Sequence, residues 1–444
     1  MYRKISLLIL AAIFFASILF IQPWKYFQAD DQLPTFYDRL PPSENIGRTD
    51  ILRLSRALSK SFYHYQYPIR EFLSPEFLLG QAKNYGIDLQ SSVYFFADDK
   101  DSKYFTDIGI MAMVLDSSKI GEGIKRFQNL IPFRDTVIYS HRVFVYGTQQ
   151  LYITYGDDWF LFYIGPNFDA RLKSALFAKK NDIPADWRTL LNNFDMTDHN
   201  IVMRSFSTKL RSRGIQEATI TAENDSSSVT FYSQLNPFDT VSFALKTGYQ
   251  FKEKEFTKRL INLHLDVTNI KRNSRDPIFA LLNEFGKKVS FPVDAFLDAW
   301  SGDLAFRNGG TYLLNEKYIE SELDENFNIS EVIKTKETKI SGVSGYLGVS
   351  GNSKDFLKTM YRKGILTEEG KRIRFLYSPP LNLKTSDSTY LFYSSNYKPE
   401  LFPGDQNNGV WTVSSTQLNF YLDSTTTRSI YGRIILPLDE ILGN

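Results

Sequence analysis

"IGIMAMVLDSSKIGEGIKRFQNL" (residues 108–130) decides how this chain is read. It runs as a strand, a short polar turn and an amphipathic helix, and three or four strands separated by turn signals follow in "TVIYSHRVFVYGTQQLYITYGDDWFLFYIG" (136–165). Much later the order returns. "GDLAFRNGG" (302–310) reads as a strand and turn, and "ISGVSGYLGVSGNSKDFLKTMYRKGIL" (340–366) as a strand, turn and helix. "KRIRFLYSPPLNLKTSDSTYLFYSS" (371–395) supplies strands again. Val114 to Lys119 can be set beside Val349 to Lys354, and "FLFY" at 160–163 beside "YLFY" at 390–393. A hairpin closes each half: "ATITAENDSSSVTFYSQLNP" ends at Pro237 and "LNFYLDSTTTRSIYGRIILP" at Pro437. The expectation is two copies of one α+β unit, roughly 75–240 and 292–440, each an antiparallel sheet with a helix packed on one face.

Working outward, "DILRLSRALSKSF" (50–62) sets Ile51, Leu54, Leu58 and Phe62 on one helical face, with Asp50 as its cap. "SPEFLLGQAKNYGI" (74–87) predicts a second helix capped by Ser74, opened by Pro75 and closed at Gly86. "SSVYFFADD" follows as a strand. In the middle of the chain, Phe256, Leu260, Leu263 and Val267 form a helical stripe within "FKEKEFTKRLINLHLDVTNIKR" (251–272). Shorter helices are predicted in "DPIFALLNEFGKKV" and "PVDAFLDAW". "SELDENFNISEVIKTKETK" (321–339) is polar and reads as an insertion within the second copy whose charges need only water.

The chain begins "MYRKISLLILAAIFFASILFIQPWKYFQADD", with no charged residue from Ile5 to Ile21. Arg3 and Lys4 precede this run, and Trp24, Tyr26 and Phe27 follow it. Basic residues before the run and aromatic ones after it suit a membrane span with a cytoplasmic start. No small-x-small site follows, so the segment reads as an uncleaved signal anchor, with cleavage and secretion as the alternative. The expected fold class is therefore α+β: an N-terminal transmembrane helix, then two related units of antiparallel sheet with packed helices. The expected parts are a signal anchor (1–28), a linker (29–49), a first α+β unit (50–240), a helical connector (241–291) and a second α+β unit (292–444). Residues 5–21 would hold the membrane, and the body would lie on the periplasmic or outer side of a bacterial envelope.

Composition narrows the chemistry. The 444 residues contain no Cys, which removes disulfides, thiolate zinc sites and cysteine nucleophiles. Lys and Arg number 52 against 50 Asp and Glu, so the balance of +2 gives no reason to invoke nucleic acid. Aromatic residues make up 15%, with 36 Phe and 26 Tyr alternating with polar residues as packed strands do.

The segments "LPPSENIGRTDILRLSRAL", "LSPEFLLGQAKNYGIDLQSSVYFFAD" and "FPVDAFLDAWSGDLAF" resemble a family of large exported proteins of unknown function from Gram-negative envelopes. The matching residues are Gly86, Ile87, Asp88 and Val93 to Phe96, then Trp300, Gly302 and Asp303. The resemblance implies an exported two-repeat protein. It implies no activity and supplies no catalytic residues.

Chemical motifs are sparse. Gly345, Gly348 and Gly351 follow a strand and precede a helix, but G-x-x-G-x-x-G is neither a dinucleotide fingerprint nor a P-loop. Asp98, Asp99 and Asp101 share a turn, as do Asp157 and Asp158; solvated turns are the favoured reading, with a weak Ca²⁺ site at 98–101 as the minor one. His64, His141, His199 and His264 stand far apart and form no metal-ligand pair. No G-x-S-x-G elbow occurs. No catalytic, cofactor-binding or metal residue is assigned. The function that follows is a membrane-tethered, non-enzymatic envelope protein that binds a partner, possible partners being other envelope proteins. The alternatives are an exported hydrolase or a hydrophobic-ligand carrier with a site between the two units.

Overall fold

The computed structural model describes residues 35–64, 74–98, 107–128, 132–146, 150–178, 185–192, 199–225, 227–252, 257–323, 329–369, 372–375, 378, 380–394, 400–413 and 416–438. The fold is mixed α+β and mostly antiparallel sheet. Among the described residues, no helix is long and apolar enough to cross a membrane. The leader at 5–21 lies outside the described residues. The chain divides into two compact units: residues 1–236 with 435–444, and residues 237–434.

In the first unit, strand β1 (Asn45–Thr49) leads into helices α1 (Ile51–His64) and α2 (Pro75–Asn84). Strands β2 (Ile87–Asp88), β3 (Val93–Asp98) and β4 (Asp107–Val114) come next, followed by helix α3 (Ser117–Gln128). A four-strand meander, β5 (Phe133–Ile138), β6 (His141–Tyr146), β7 (Leu151–Tyr155) and β8 (Trp159–Ile164), leads to helices α4 (Phe168–Leu176) and α5 (Ala185–Asn192). Strand β9 (Ile201–Ser205), helix α6 (Thr208–Ser212) and strands β10 (Ile215–Asn224) and β11 (Ser228–Pro237) follow. Antiparallel pairing gives the order β10–β9–β1–β3–β4–β8–β7–β6–β5.

The run "WFLFYI" is apolar throughout because both faces of β8 are covered. Phe160 and Phe162 point to the face occupied by Leu78 and Ala82 of α2 and by Ile120 and Ile124 of α3. Trp159, Leu161 and Tyr163 point to the other face, against Phe168, Leu172 and Ala175 of α4. Each fully buried aromatic contributes about 1.5–3 kcal/mol through the water it sheds. Ser74 caps α2 by accepting from the Phe77 amide at 3.2 Å, and Asp50 accepts from the Arg53 amide at 2.9 Å in the first turn of α1.

The second unit begins with strands β12 (Ala244–Leu245), β13 (Gly248–Phe251) and β14 (Thr257–Asp266), then helices α7 (Pro277–Val289) and α8 (Val293–Ala299). Two long strands, β15 (Trp300–Leu323) and β16 (Ile329–Val349), run into helix α9 (Ser353–Arg362). Strands β17 (Leu366–Glu369), β18 (Arg372–Phe375), β19 (Asn382–Thr385) and β20 (Thr389–Tyr393) form the next group. The last strands are β21 (Leu401–Gly404), β22 (Asn408–Val413), β23 (Thr416–Thr425) and β24 (Ile430–Pro437). Pairing gives β23–β22–β14–β15–β16–β20–β19, with β18 tied to β19 by a bridge between Ile373 and Leu381 and β17 paired to β18. Phe291, Phe296, Trp300 and Phe356 pack as an aromatic group between α8 and α9. Phe251 and Leu401, from the separate β13–β21 ribbon, pack with Leu260, Ala305, Tyr346 and Val410.

The two strand orders match position for position, and so do the registers. Met111 lies opposite Leu161 and Tyr94, while Tyr346 lies opposite Leu391 and Ala305. Carrying the match across the sheet, Arg48 corresponds to Asn262, Val202 to Asn408 and Thr221 to Tyr421. The last of these is the spacing at which the two hairpins ending in Pro237 and Pro437 align.

Three stretches differ from their sequence reading. Among the described residues of 251–272 there is no helix: β13 ends at Phe251 and β14 spans Thr257–Asp266, while Phe256 lies outside the described residues. Leu260, Asn262 and His264 are buried on alternate positions, and two polar side chains at those positions disguised a strand period. The stretch 241–291, read as a helical connector, accordingly holds β12, β13 and β14 ahead of α7. Within 29–49, read as linker, "NIGRT" is β1, buried at every position. Its polar groups are satisfied: Asn45 Nδ2 donates to the Ala97 carbonyl at 3.0 Å, and Thr49 Oγ1 to the Asn200 carbonyl at 3.0 Å.

Candidate functional site

In the first unit the last described pair of the β3–β4 ladder is Asp98 opposite Asp107, ahead of residues 99–106, which lie outside the described set. The corresponding pair in the second unit is Gly309 opposite Gly342, and there the hairpin does not end. The register breaks between Gly309 and Tyr312, with Gly309 at φ +147°, and pairing then resumes for twelve further steps out to Leu323 opposite Ile329. At about 3.4 Å per residue this extension is about 40 Å long. "RNGG", read as a turn, is thus a bulge inside a continuing strand, which two glycines make possible.

The insertion read at 321–339 forms the outer part of this ribbon. β14 covers the edge of β15 only through Gly309, and β20 covers that of β16 only from Ser344. Among the described residues, no other strand pairs with either edge between Leu313 and Lys339. One face carries Ile319 and Ile333 as a cross-strand pair, 65% and 68% exposed, with Ile329 at 76% further out. On the other face Lys334 bonds to Glu320 at 2.8 Å and also pairs with Glu322. Both faces are exposed and mixed: Lys317, Glu331 and Glu337 share the face of Ile319 and Ile333, and Tyr318 and Val332 share that of Lys334 and Glu320.

Two buried polar clusters lie elsewhere. In the first unit, Arg171 contacts Asp98 and sits 3.8 Å from Asp107 Oδ2. Tyr163 and Asn167 each donate to Asp107 at 2.6 Å, and the Glu44 amide donates to Asp98 at 2.6 Å. Burial, reinforced by the Asp107 hydrogen bond and charge, pushes the Tyr163 phenol upward, and burial lowers the Arg171 guanidinium.

In the second unit, His264 is fully buried and its Nδ1 lies 3.2 Å from Asp303 Oδ1. Lys246 Nζ lies 3.1 Å from Asp303 Oδ2 and donates to the Ser301 carbonyl at 2.8 Å. Burial raises Asp303, but the hydrogen bonds from His264 and Lys246 outweigh it and hold the carboxyl below its usual range. Burial and the Asp303 charge push the nearby Tyr346 phenol up to about 12. His264 Nε2 is buried and has no hydrogen-bond partner. With His264 fully buried, no substrate reaches its imidazole, which braces Asp303 from the inner side.

The remaining residues singled out by sequence fall as follows. Asp98 has both carboxylate oxygens engaged by protein donors, and Asp99 and Asp101 lie outside the described residues. Asp158 lies 3.5 Å from Arg39 in an exposed turn. His141 packs against Trp159, and His199 contacts Glu223 at 2.7 Å. Among the described residues, no group of three or more His, Asp or Glu side chains is placed to hold a metal ion.

The glycines of "GYLGVSG" serve packing. Gly345 lies under the Phe392 ring and Gly348 against Ser301 and Asp303, so both sit within β16 and only Gly351 reaches the turn. The ribbon itself was visible in sequence only as polarity. Its signal was the alternation of "ISEVIKTKETK", which a search for core-forming strands passes over.

No family model matches the sequence, and no curated protein matches it. Among solved structures, crystal forms of TP0453 are similar at low identity. Form III gives a TM-score of 0.32 at 4% identity over 47% of this chain and 81% of that one. Form I gives 0.31 at 5% identity over 47% and 80%.

Proposed function

We propose that this chain is an exported, membrane-tethered, non-enzymatic protein of a bacterial envelope, with two duplicated α+β units and a role in binding a partner. The observation that carries the reading is the β15–β16 ribbon. It extends past the ladder position that Asp98–Asp107 holds in the first unit, and the matching strand orders favour one ancestral unit with a later extension. Selection for stability alone gives no reason to keep three isoleucines more than 60% exposed on a two-stranded ribbon. The leader at 5–21 supplies the tether, and Arg3 and Lys4 orient it.

The test is fractionation of the full-length chain in a Gram-negative host, with mass measurement of its N-terminus. The reading expects the membrane fraction, an intact residue 1 and a body digestible by protease added from the periplasmic side. A freely diffusing product beginning near residue 25 would overturn the tether. Loss of a cross-linked partner on deleting 311–340, with membrane retention unchanged, would support the binding role.

A further inference from the structure

We propose that the aliphatic face of the β15–β16 ribbon binds the same face of a second copy of this chain, the two ribbons lying side by side with their tips pointing the same way. The inference rests on the binding role proposed above and names the partner.

Residues directly opposite in an antiparallel ladder share a face. On the face in question the pairs, from base to tip, are Leu313–Lys339, Asn315–Glu337, Lys317–Thr335, Ile319–Ile333 and Ser321–Glu331, with Ile329 beyond. A two-fold axis along the ribbon sets each residue against the cross-strand partner of its counterpart in the other copy. Ile319 then meets Ile333, Lys317 meets Thr335, Glu331 meets Ser321 and Glu337 meets Asn315. No like charges are juxtaposed, Ile319 and Ile333 cover one another, and the one apolar–charged meeting, Leu313 with Lys339, falls at the base.

The alternatives fit worse. An antiparallel arrangement centred on Ile319–Ile333 sets Ile329 against Glu337, and one centred on Ser321–Glu331 sets Glu331 against its own copy. A lipid surface is disfavoured by charge, because residues 311–340 carry seven acidic side chains against four lysines. Two-stranded ribbons twist strongly, and a two-fold along the ribbon lets the pair coil about each other without losing register.

The area sets the strength. A face about 40 Å long and about 10 Å wide buries on the order of 400 Å² per copy, below the roughly 800 Å² per partner of a stable complex. The dimer is therefore weak in dilute solution and becomes populated where a shared surface confines the copies.

The absence of native Cys makes the test direct. Full-length Lys317→Cys and Thr335→Cys chains, co-expressed and treated in isolated membranes with a thiol-to-thiol cross-linker that reaches across the roughly 10 Å between facing ribbons, should give covalent dimer at least about 5-fold above either chain alone. The opposite-face pair Tyr318→Cys with Lys334→Cys, in the same register, is the control. Adding Ile319→Glu and Ile333→Glu should abolish the dimer while the circular dichroism spectrum is kept. No dimer from a folded chain, or equal yield from the control pair, would overturn the proposal. Membrane retention is read in the same samples, so failure here is distinct from failure of the tether.

Discussion

Asp98 and Asp107 face each other across β3 and β4 with Arg171 against both, and all three side chains are largely buried. Two carboxylates directly opposite would repel, and the guanidinium makes the position tolerable. Truncating it should be costly. Arg171→Ala should destabilise the first unit by about 3–5 kcal/mol. Adding Asp98→Asn should recover part of that loss, because one buried charge goes while the oxygen facing the Glu44 amide stays. Urea unfolding of the single and double variants measures this. A double variant less stable than Arg171→Ala would refute the charge account.

At the matching position of the second unit, Gly309 and Gly342 leave the ladder open to extension. Replacing 311–340 by a short turn should leave a folded protein, since the outer ribbon adds no strand to the sheet. In the intact chain, amide exchange should divide at Gly309. Amides paired with β14 should be protected to the level of the sheet, and those beyond Tyr312 only to that of a lone hairpin. Uniform protection on both sides of the bulge would contradict this picture.

Asp303 gives a pH dependence of known sign. Burial raises its carboxyl, but hydrogen bonds from His264 and Lys246 leave it below the ordinary 3.8. The unfolded chain thus binds that proton more readily than the folded one, and the stabilisation is present above pH 3.8 and lost as pH falls below it. Asp303→Asn should lower the urea midpoint at pH 6 and flatten its fall between pH 4 and pH 2. A variant with the same acid limb as the parent would rule Asp303 out as its source.

Gly345→Ala should cost about 1–3 kcal/mol, because a Cβ there meets the Phe392 ring. Combining it with Phe392→Leu should cost less than the sum of the two single changes, since each relieves the other. Added phosphate should shift neither midpoint, which separates a packing glycine from a phosphate-binding one.

These particulars explain what could be read in advance. Val114–Lys119 and Val349–Lys354 were legible because each is a polar turn joining a strand to a helix, and "FLFY" because both faces of β8 are covered, which forces an apolar run. β1 and β14 escaped because their inward positions hold Asn45, Arg48, Asn262 and His264, whose partners Ala97, Leu191, Asn408 and Asp303 lie 39 to 146 residues away. Periodicity reports burial through apolarity and is blind to burial achieved by polar pairing. Asp303 was singled out for its place after Trp300, but its link to His264 depends on two strands meeting in space.

The bulge at Gly309 also constrains how this chain can vary. Side chains in the outer ribbon alternate faces at every residue, so adding one cross-strand pair near the base would turn Ile319 and Ile333 to the charged side. Changes of length that preserve the aliphatic surface must come two pairs at a time, about 7 Å per step. Homologous chains compared at this position should differ in reach by such quanta, with the sheet beneath untouched.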